Sequence, residues 1–156
     1  MGRIKRRIRR AGVYFVTTET WQRRPLFAKP EPGRILLEQL LRCRERGFYR
    51  LHAFVVMPEH LHALLTPGEE TTLEKAMQMI KGGSAYEIRK QVGYKLPVWQ
   101  SGFHDRWIRN CQEYVTRKRY IERNPVEARL VLSPEQYAMS SATGRFALDK
   151  SSFDEG

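Results

Sequence analysis

His60-Leu61-His62 sets two imidazoles on either side of one apolar residue, inside the run His52-Ala-Phe-Val-Val-Met-Pro-Glu-His-Leu-His-Ala-Leu-Leu65. The run reads as two β-strands joined at Met57-Pro58-Glu59. Side chains alternate along a strand, so His60 and His62 share one face and Leu61 turns into the opposite layer. Two imidazoles on a rigid strand are a ready pair of divalent-metal ligands. They do not complete a site, and the rest has to come from elsewhere in the chain.

A helix expected over Gln112 to Arg123 offers the missing groups. Tyr120 and Asn124 are four residues apart and lie on one face, with Thr116 one turn earlier. A tyrosine that attacks a phosphate needs help to lose its proton, and Lys118, Arg119 and Arg123 flank Tyr120 with positive charge. A divalent ion adds to this by polarising the phosphate. His60, His62 and the Asn124 amide oxygen can serve as its protein ligands, a mixed nitrogen and oxygen set that accepts Mg2+ or Mn2+. Tyr114 is the rival nucleophile, but its six-residue offset from Tyr120 turns it to another face. Tyr120 can equally be a core tyrosine. Asn124 precedes Pro125 and is also a natural helix stop, so the two roles coexist.

Charge points to the partner. Lys and Arg number 28 against 17 Asp and Glu, a formal +11. Aromatic residues accompany many of the cations: Trp21 beside Arg23 and Arg24, Trp107 beside Arg106 and Arg109. That mixture suits phosphate neutralisation and base stacking, so nucleic acid is the expected partner rather than a merely solubilising surface. The N-terminal run holding Arg6, Arg7, Arg9 and Arg10 reads as a phosphate-binding arm. Lys81-Gly82-Gly83-Ser84 lacks the spacing of a phosphate-binding P-loop, yet Lys81 and its small neighbours let a DNA backbone approach closely. His104 is a surface histidine or a DNA contact. In a regular strand His52 shares the side of Phe54 and Val56, where it packs or supports a ligand without being one. Glu59 orients a histidine, binds metal-bound water or serves the turn.

These groups need a frame to hold them. A chain of 156 residues suits one domain. Val13 to Thr18 reads as a first strand, Pro32 to Gly47 as a first helix, and Phe48 to Val56 with Glu59 to Thr66 as a central strand pair. A second helix begins at Thr71 or Thr72 and is kinked or broken at Gly82-Gly83. Val98 to Gln100 reads as a fourth strand, and the third helix stops near Asn124-Pro125. This order implies an α+β, ferredoxin-like two-layer sandwich: an antiparallel sheet with helices on one face. The expected divisions are a basic arm over 1–12, the domain over 13–132, and a tail over 133–156 that is loose or laid along the surface. No apolar run reaches membrane-spanning length. No signal-peptide core follows the basic arm, and Cys43 and Cys111 lack metal spacing, which together suggest a reduced, cytoplasmic setting.

Three segments carry a resemblance. Val56-Met-Pro-Glu-His-Leu-His-Ala-Leu64 resembles the His-hydrophobic-His (HUH) strand of single-tyrosine transposases. Trp99-Gln-Ser-Gly-Phe-His-Asp-Arg106 and Arg119-Tyr-Ile-Glu-Arg-Asn-Pro-Val126 resemble the REP-associated tyrosine transposases among them. The ordered set is far more specific than the histidine triplet alone. The resemblance implies an HUH-nuclease type of fold, with Tyr120 attacking a phosphodiester of single-stranded DNA to leave a 5′-phosphotyrosine and a free 3′-hydroxyl. It assigns His60, His62 and Asn124 to the metal, and palindromic, hairpin-forming repeats to the substrate. Members act as monomers or homodimers, and in some the tyrosine of one subunit meets the histidines of another. One departure is Met139, where an aromatic residue often precedes the Ser-Ser-Ala of Ser140 to Ala142; it concerns packing or a DNA contact. A non-catalytic protein that binds structured DNA on the same fold is the main alternative, and RNA processing a weaker one.

Overall fold

The computed structural model describes residues 9–154. Arg6 and Arg7 lie outside the described residues. Four strands form one antiparallel sheet: β1 (Tyr14–Glu19), β2 (Tyr49–Val56), β3 (His60–Pro67) and β4 (His104–Trp107), in spatial order β2-β3-β1-β4. Three helices accompany them: α1 (Pro30–Glu45), α2 (Leu73–Val92) and α3 (Cys111–Glu127). The α+β class and the antiparallel sheet are as expected.

The helices are divided between the faces of the sheet. Tyr14, Val16, Phe54, Val56, Leu61 and Leu65 turn to one side, where Ile35, Leu36 and Leu40 of α1 and Ala76, Met77 and Ile80 of α2 pack against them. Val13, Phe15, Val55 and Leu64 turn to the other and meet Tyr114 and Ile121 of α3. Strand alternation produces this division directly, because consecutive residues of β1 serve opposite cores. The expectation of helices on one face therefore holds for α1 and α2, while α3 covers the other.

Several local expectations are corrected. The fourth strand is His104–Trp107 rather than Val98 to Gln100, whose Trp99 makes only a single bridge to Thr20. β3 and β1 are the central strands, and β2 is an edge. The β2–β3 register shifts between Leu51 and Ala53, leaving His52 in a bulge. An extra residue reverses the side-chain alternation, so His52 faces Tyr114 (ring centroids 6.3 Å apart) instead of sharing the side of Phe54.

α2 runs unbroken through Gly82-Gly83. Thr72 caps its start by accepting a hydrogen bond from Lys75 N at 3.1 Å, and left-handed Gly93 ends it. Gly83 lets α2 approach α1, since a Cβ there would strike the Gln39 side chain. α3 continues past Asn124 and Pro125 to Glu127. Pro125 sits within a turn of the helix end, where its missing N–H interrupts the ladder late, and Ala128 N still bonds Asn124 O at 3.0 Å.

Of the two alternatives for 133–156, the described residues take the second and follow the free edge of β2. Val56 N donates to Met139 O at 2.9 Å, and Leu51 N to the Asp149 carboxylate at 2.9 Å. Arg44 clamps Asp149 through two hydrogen bonds of 2.8 and 2.9 Å. An edge strand covered in this way no longer offers unpaired groups to another chain. Met139 packs beside Gly33 of α1, so of its two expected roles the packing one has a structural counterpart.

Candidate active site

The sheet face under α3 gathers the two histidines. Pairing of β1 with β3 sets Thr17 opposite His62 and Glu19 opposite His60. The His60 and His62 rings lie 4.4 Å apart, centroid to centroid. Each imidazole is held by its Nδ1: His60 Nδ1 lies 2.9 Å from Glu59 Oε1, and His62 Nδ1 lies 2.8 Å from Thr17 Oγ1. A carboxylate only accepts, so His60 carries its proton on Nδ1 and presents the Nε2 lone pair. That Nε2 is buried and has no hydrogen-bond partner. His62 presents Nε2 in the same way when Nδ1–H donates to Thr17.

Burial disfavours a charge on either imidazole. Burial pulls His62 down to about 3, aided by the neighbouring His60 and Arg117. Burial also lowers His60, against the opposing pull of Glu59 and Asn124. Metal ions bind the neutral ring, so burial keeps the pair in the ligating form. The hairpin tip is fixed from outside: Thr20 N donates to Glu59 O at 2.9 Å and Phe27 N to Pro58 O at 3.0 Å.

α3 brings the remaining groups over this face. Asn110 caps the helix by accepting from Glu113 N at 2.9 Å. Buried Tyr114 and Ile121 seat it on the sheet. Tyr120 then projects beside the histidines, its ring 5.4 Å from that of His62 and 6.0 Å from that of Phe15. It remains 47% exposed, open to a large substrate. Asn124, one turn on, stands near enough to His60 to favour its charged form, although no hydrogen bond closes on Nε2. Among the described residues no three His, Cys, Asp or Glu side chains gather into a metal-type cluster. The donor set is two imidazoles and one amide, and the unpartnered His60 nitrogen is of a kind that could hold a metal.

The rival tyrosine is occupied. Tyr114 is buried, donates to Asp154 Oδ2 at 2.9 Å, and is pushed up to about 12 by burial. It has no access to a phosphate.

The expected DNA-contacting cations scatter. Arg23 stands at the site rim, pairing with Glu19 at 3.4 Å and Glu59 at 3.9 Å. Arg106 lies opposite Phe15 in the sheet and pairs with Glu113 at 2.8 Å. His104 shares a row with Thr17 and His62, on the site face. Lys118, Arg119 and Arg123 line a groove between α3 and the C-terminal segment whose lining includes neither histidine nor Tyr120. Arg24 stacks on Trp21 at 5.4 Å, and Arg10 on Trp107 at 4.8 Å. Arg9 is taken up by Glu74 and by Asp105 (2.6 Å). Lys81 donates to the carbonyls of Gln100 (2.9 Å) and Gly102, bracing the loop before β4.

Three site residues escaped the sequence reading: Thr17, Phe15 and Arg117. Phe15 stacks on His62 at 5.3 Å, and the Arg117 guanidinium covers the Phe15 ring at 5.1 Å. Arg117 was findable, since it precedes Tyr120 by three residues on a helix. Thr17 and Phe15 depend on the β1–β3 register, which no local pattern reveals.

Comparison with known proteins agrees with this fold. The family described as "Transposase IS200 like" matches residues 13–124. A REP-associated tyrosine transposase of Escherichia coli (strain K12) is 26% identical over 128 residues, covering 81% of this chain and 74% of that protein. A solved structure of a REP-associated tyrosine transposase bound to a REP hairpin superposes with a TM-score of 0.73 at 23% identity, covering all of this chain and 94% of the other. A putative transposase from Deinococcus radiodurans gives 0.54 at 20% identity, over 78% of this chain and 96% of that one. At these identities the structural likeness is one of fold. No helix among the described residues is long and apolar enough to cross a membrane.

Proposed function

This chain belongs to the IS200-like transposase family, which it matches over residues 13–124, and from that premise we propose that it cuts and rejoins single-stranded DNA through Tyr120. The observation that carries this reading is the Tyr120 ring beside His62 in one chain, next to a buried His60 nitrogen without a partner. His60, His62 and Asn124 would hold one Mg2+ or Mn2+. When bound, such an ion polarises the phosphate and neutralises charge that develops on it.

The chain's own residues do the rest. Glu59 and Thr17 hold the two imidazoles so that both Nε2 atoms face the site. α3 carries Tyr120 on a rigid element, which keeps the phenol in attacking position. Tyr120 Oη forms a bond to phosphorus as the bond to the 3′ oxygen breaks. The phenol proton leaves to solvent and the departing 3′ oxygen takes one up, so the products are a 5′-phosphotyrosine and a 3′-hydroxyl. One phosphoester replaces another, so a 3′-hydroxyl can reverse the step and join strands without an outside energy source.

A hairpin-forming repeat with single-stranded flanks is the proposed substrate. The match to a REP-associated tyrosine transposase and the fold shared with a hairpin-bound one support this. The test is to incubate the protein with labelled single-stranded DNA carrying such a palindrome, with Mg2+ or Mn2+, and to resolve covalent adducts on a denaturing gel. An adduct that needs the metal and is lost in Tyr120→Phe is the expected result. Tight hairpin binding with no cleavage under any divalent ion would favour the non-catalytic alternative.

A further inference from the structure

We propose that Arg117 is the phosphate-holding cation of this site, donating to a non-bridging oxygen of the scissile phosphate while Tyr120 attacks. The inference rests on the transfer chemistry proposed above and names the group that receives the phosphate's charge.

Position is the first argument. Arg117 precedes Tyr120 by three residues and Asn124 by seven, so the three align along one side of α3. Its guanidinium lies 5.1 Å above the Phe15 ring. Phe15 in turn stacks on His62 at 5.3 Å and meets the edge of Tyr120 at 6.0 Å. The cation is thus tied through one aromatic ring to both the nucleophile and a ligating imidazole.

The lack of a counter-charge is the second. Most arginines near α3 or β4 have acids: Arg106 and Arg109 share Glu113, Arg123 has Glu127, and Arg9 has Asp105 and Glu74. Arg119 and Arg10 have none among the described residues, but Arg119 lines the groove that excludes Tyr120 and Arg10 stacks on Trp107. Arg117 is only partly exposed, and among the described residues no carboxylate lies within ion-pair distance of it. Among the described residues its one recorded partner is the Phe15 ring face, which attracts the cation but accepts no directional hydrogen bond. A partly desolvated guanidinium with unused donors, held beside a nucleophile, is matched by an anion with two oxygens in a plane, and phosphate supplies that fork. Because the donors are positioned before the substrate arrives, they act on the transition state with little reorganisation.

A purely structural Arg117 that merely covers Phe15 predicts something different, and charge separates the two roles. The test compares wild type, Arg117→Met and Arg117→Lys on a hairpin oligonucleotide with single-stranded flanks, in Mn2+, measuring both DNA binding and the rate of covalent adduct formation. The same assay is repeated with a neutral methylphosphonate at the linkage wild type cuts. On the ordinary phosphodiester, Arg117→Met should slow adduct formation about 100- to 1,000-fold, with DNA affinity changing by less than about tenfold. Arg117→Lys should fall between them. On the methylphosphonate the gap between wild type and Arg117→Met should close, because no phosphate charge remains for the guanidinium to meet. Wild-type rates for Arg117→Met, or an equal gap on both substrates, would overturn this inference alone. No adduct with wild type on any phosphodiester would overturn the transfer reading along with it.

Discussion

The Tyr120 ring lies edge-on to the His62 imidazole, with centroids 5.4 Å apart, and the two belong to one chain. The proposed nucleophile and the proposed metal-ligating strand thus stand together within one chain, and the account predicts a site that works within one subunit. Mixing Tyr120→Phe with His62→Ala should leave adduct formation at the level of either variant alone. Recovery of adduct in the mixture would mean that α3 passes between subunits.

Thr17 and Glu59 fix the two histidines by their Nδ1 atoms. Outer partners of this kind typically account for about 10- to 100-fold in metal affinity. Thr17→Val and Glu59→Gln should weaken Mn2+ binding in calorimetry by about that factor while the unfolding midpoint stays nearly constant. The ring-nitrogen NMR signals of His62 should show a mixed tautomer in Thr17→Val. Unchanged metal affinity in both variants would remove their positioning role.

Gly82 and Gly83 are neighbours in α2 with opposite expectations. A Cβ at Gly82 meets nothing within 4 Å, whereas one at Gly83 strikes the Gln39 amide, which is buried and bonded to Met79 O at 2.9 Å. Gly82→Ala should stabilise by about 0.5–1 kcal/mol. Gly83→Ala should destabilise by about 1–3 kcal/mol through overpacking. Denaturant midpoints of the two variants check the sign of each.

Acid should loosen the C-terminal segment from β2. His52 Nδ1 donates to Asp149 O at 2.8 Å and its Nε2 lies 2.7 Å from Thr66 Oγ1, a neutral arrangement. Burial lowers its pKa from 6.5, so folding favours the uncharged ring. That contribution is complete above pH 6.5 and is lost as pH falls through the lower folded value. Asp149, held low chiefly by Arg44, adds a loss of the same sign only below about pH 3.8. The unfolding temperature should begin to slope downward below pH 6.5, where His60 and His62 contribute with the same sign, and His52→Gln should make that slope shallower. An unchanged slope would assign it to other groups.

How much of this was legible in the sequence follows from the range of the forces involved. The His60–His62 pair, Tyr120 and Asn124 are related by fixed local periods of strand and helix, and those relations hold. Asn124-Pro125 misled because proline disfavours a helical residue before it, yet tertiary packing of buried Pro125 and Ile121 carries α3 on to Glu127. The fourth strand was misplaced because Val98 and Trp99 have strand propensity, while His104–Trp107 is a strand only by its pairing with β1. Thr17 stayed hidden for the same reason: its partner lies 45 positions away. The basic residues point to a nucleic-acid partner by their sum alone, and only the fold separates Arg117, without an acid among the described residues, from Arg9 locked between two.

The central claim is that Tyr120 forms the bond to DNA. The direct measurement is to trap the adduct with hairpin DNA and Mn2+, digest protein and DNA, and map the nucleotide-bearing peptide by mass spectrometry. The account predicts a single tyrosine bearing a 5′-linked nucleotide, Tyr120, and no mass shift on the peptide holding Tyr114. A nucleotide on Tyr114, or an adduct that persists in Tyr120→Phe, would contradict it.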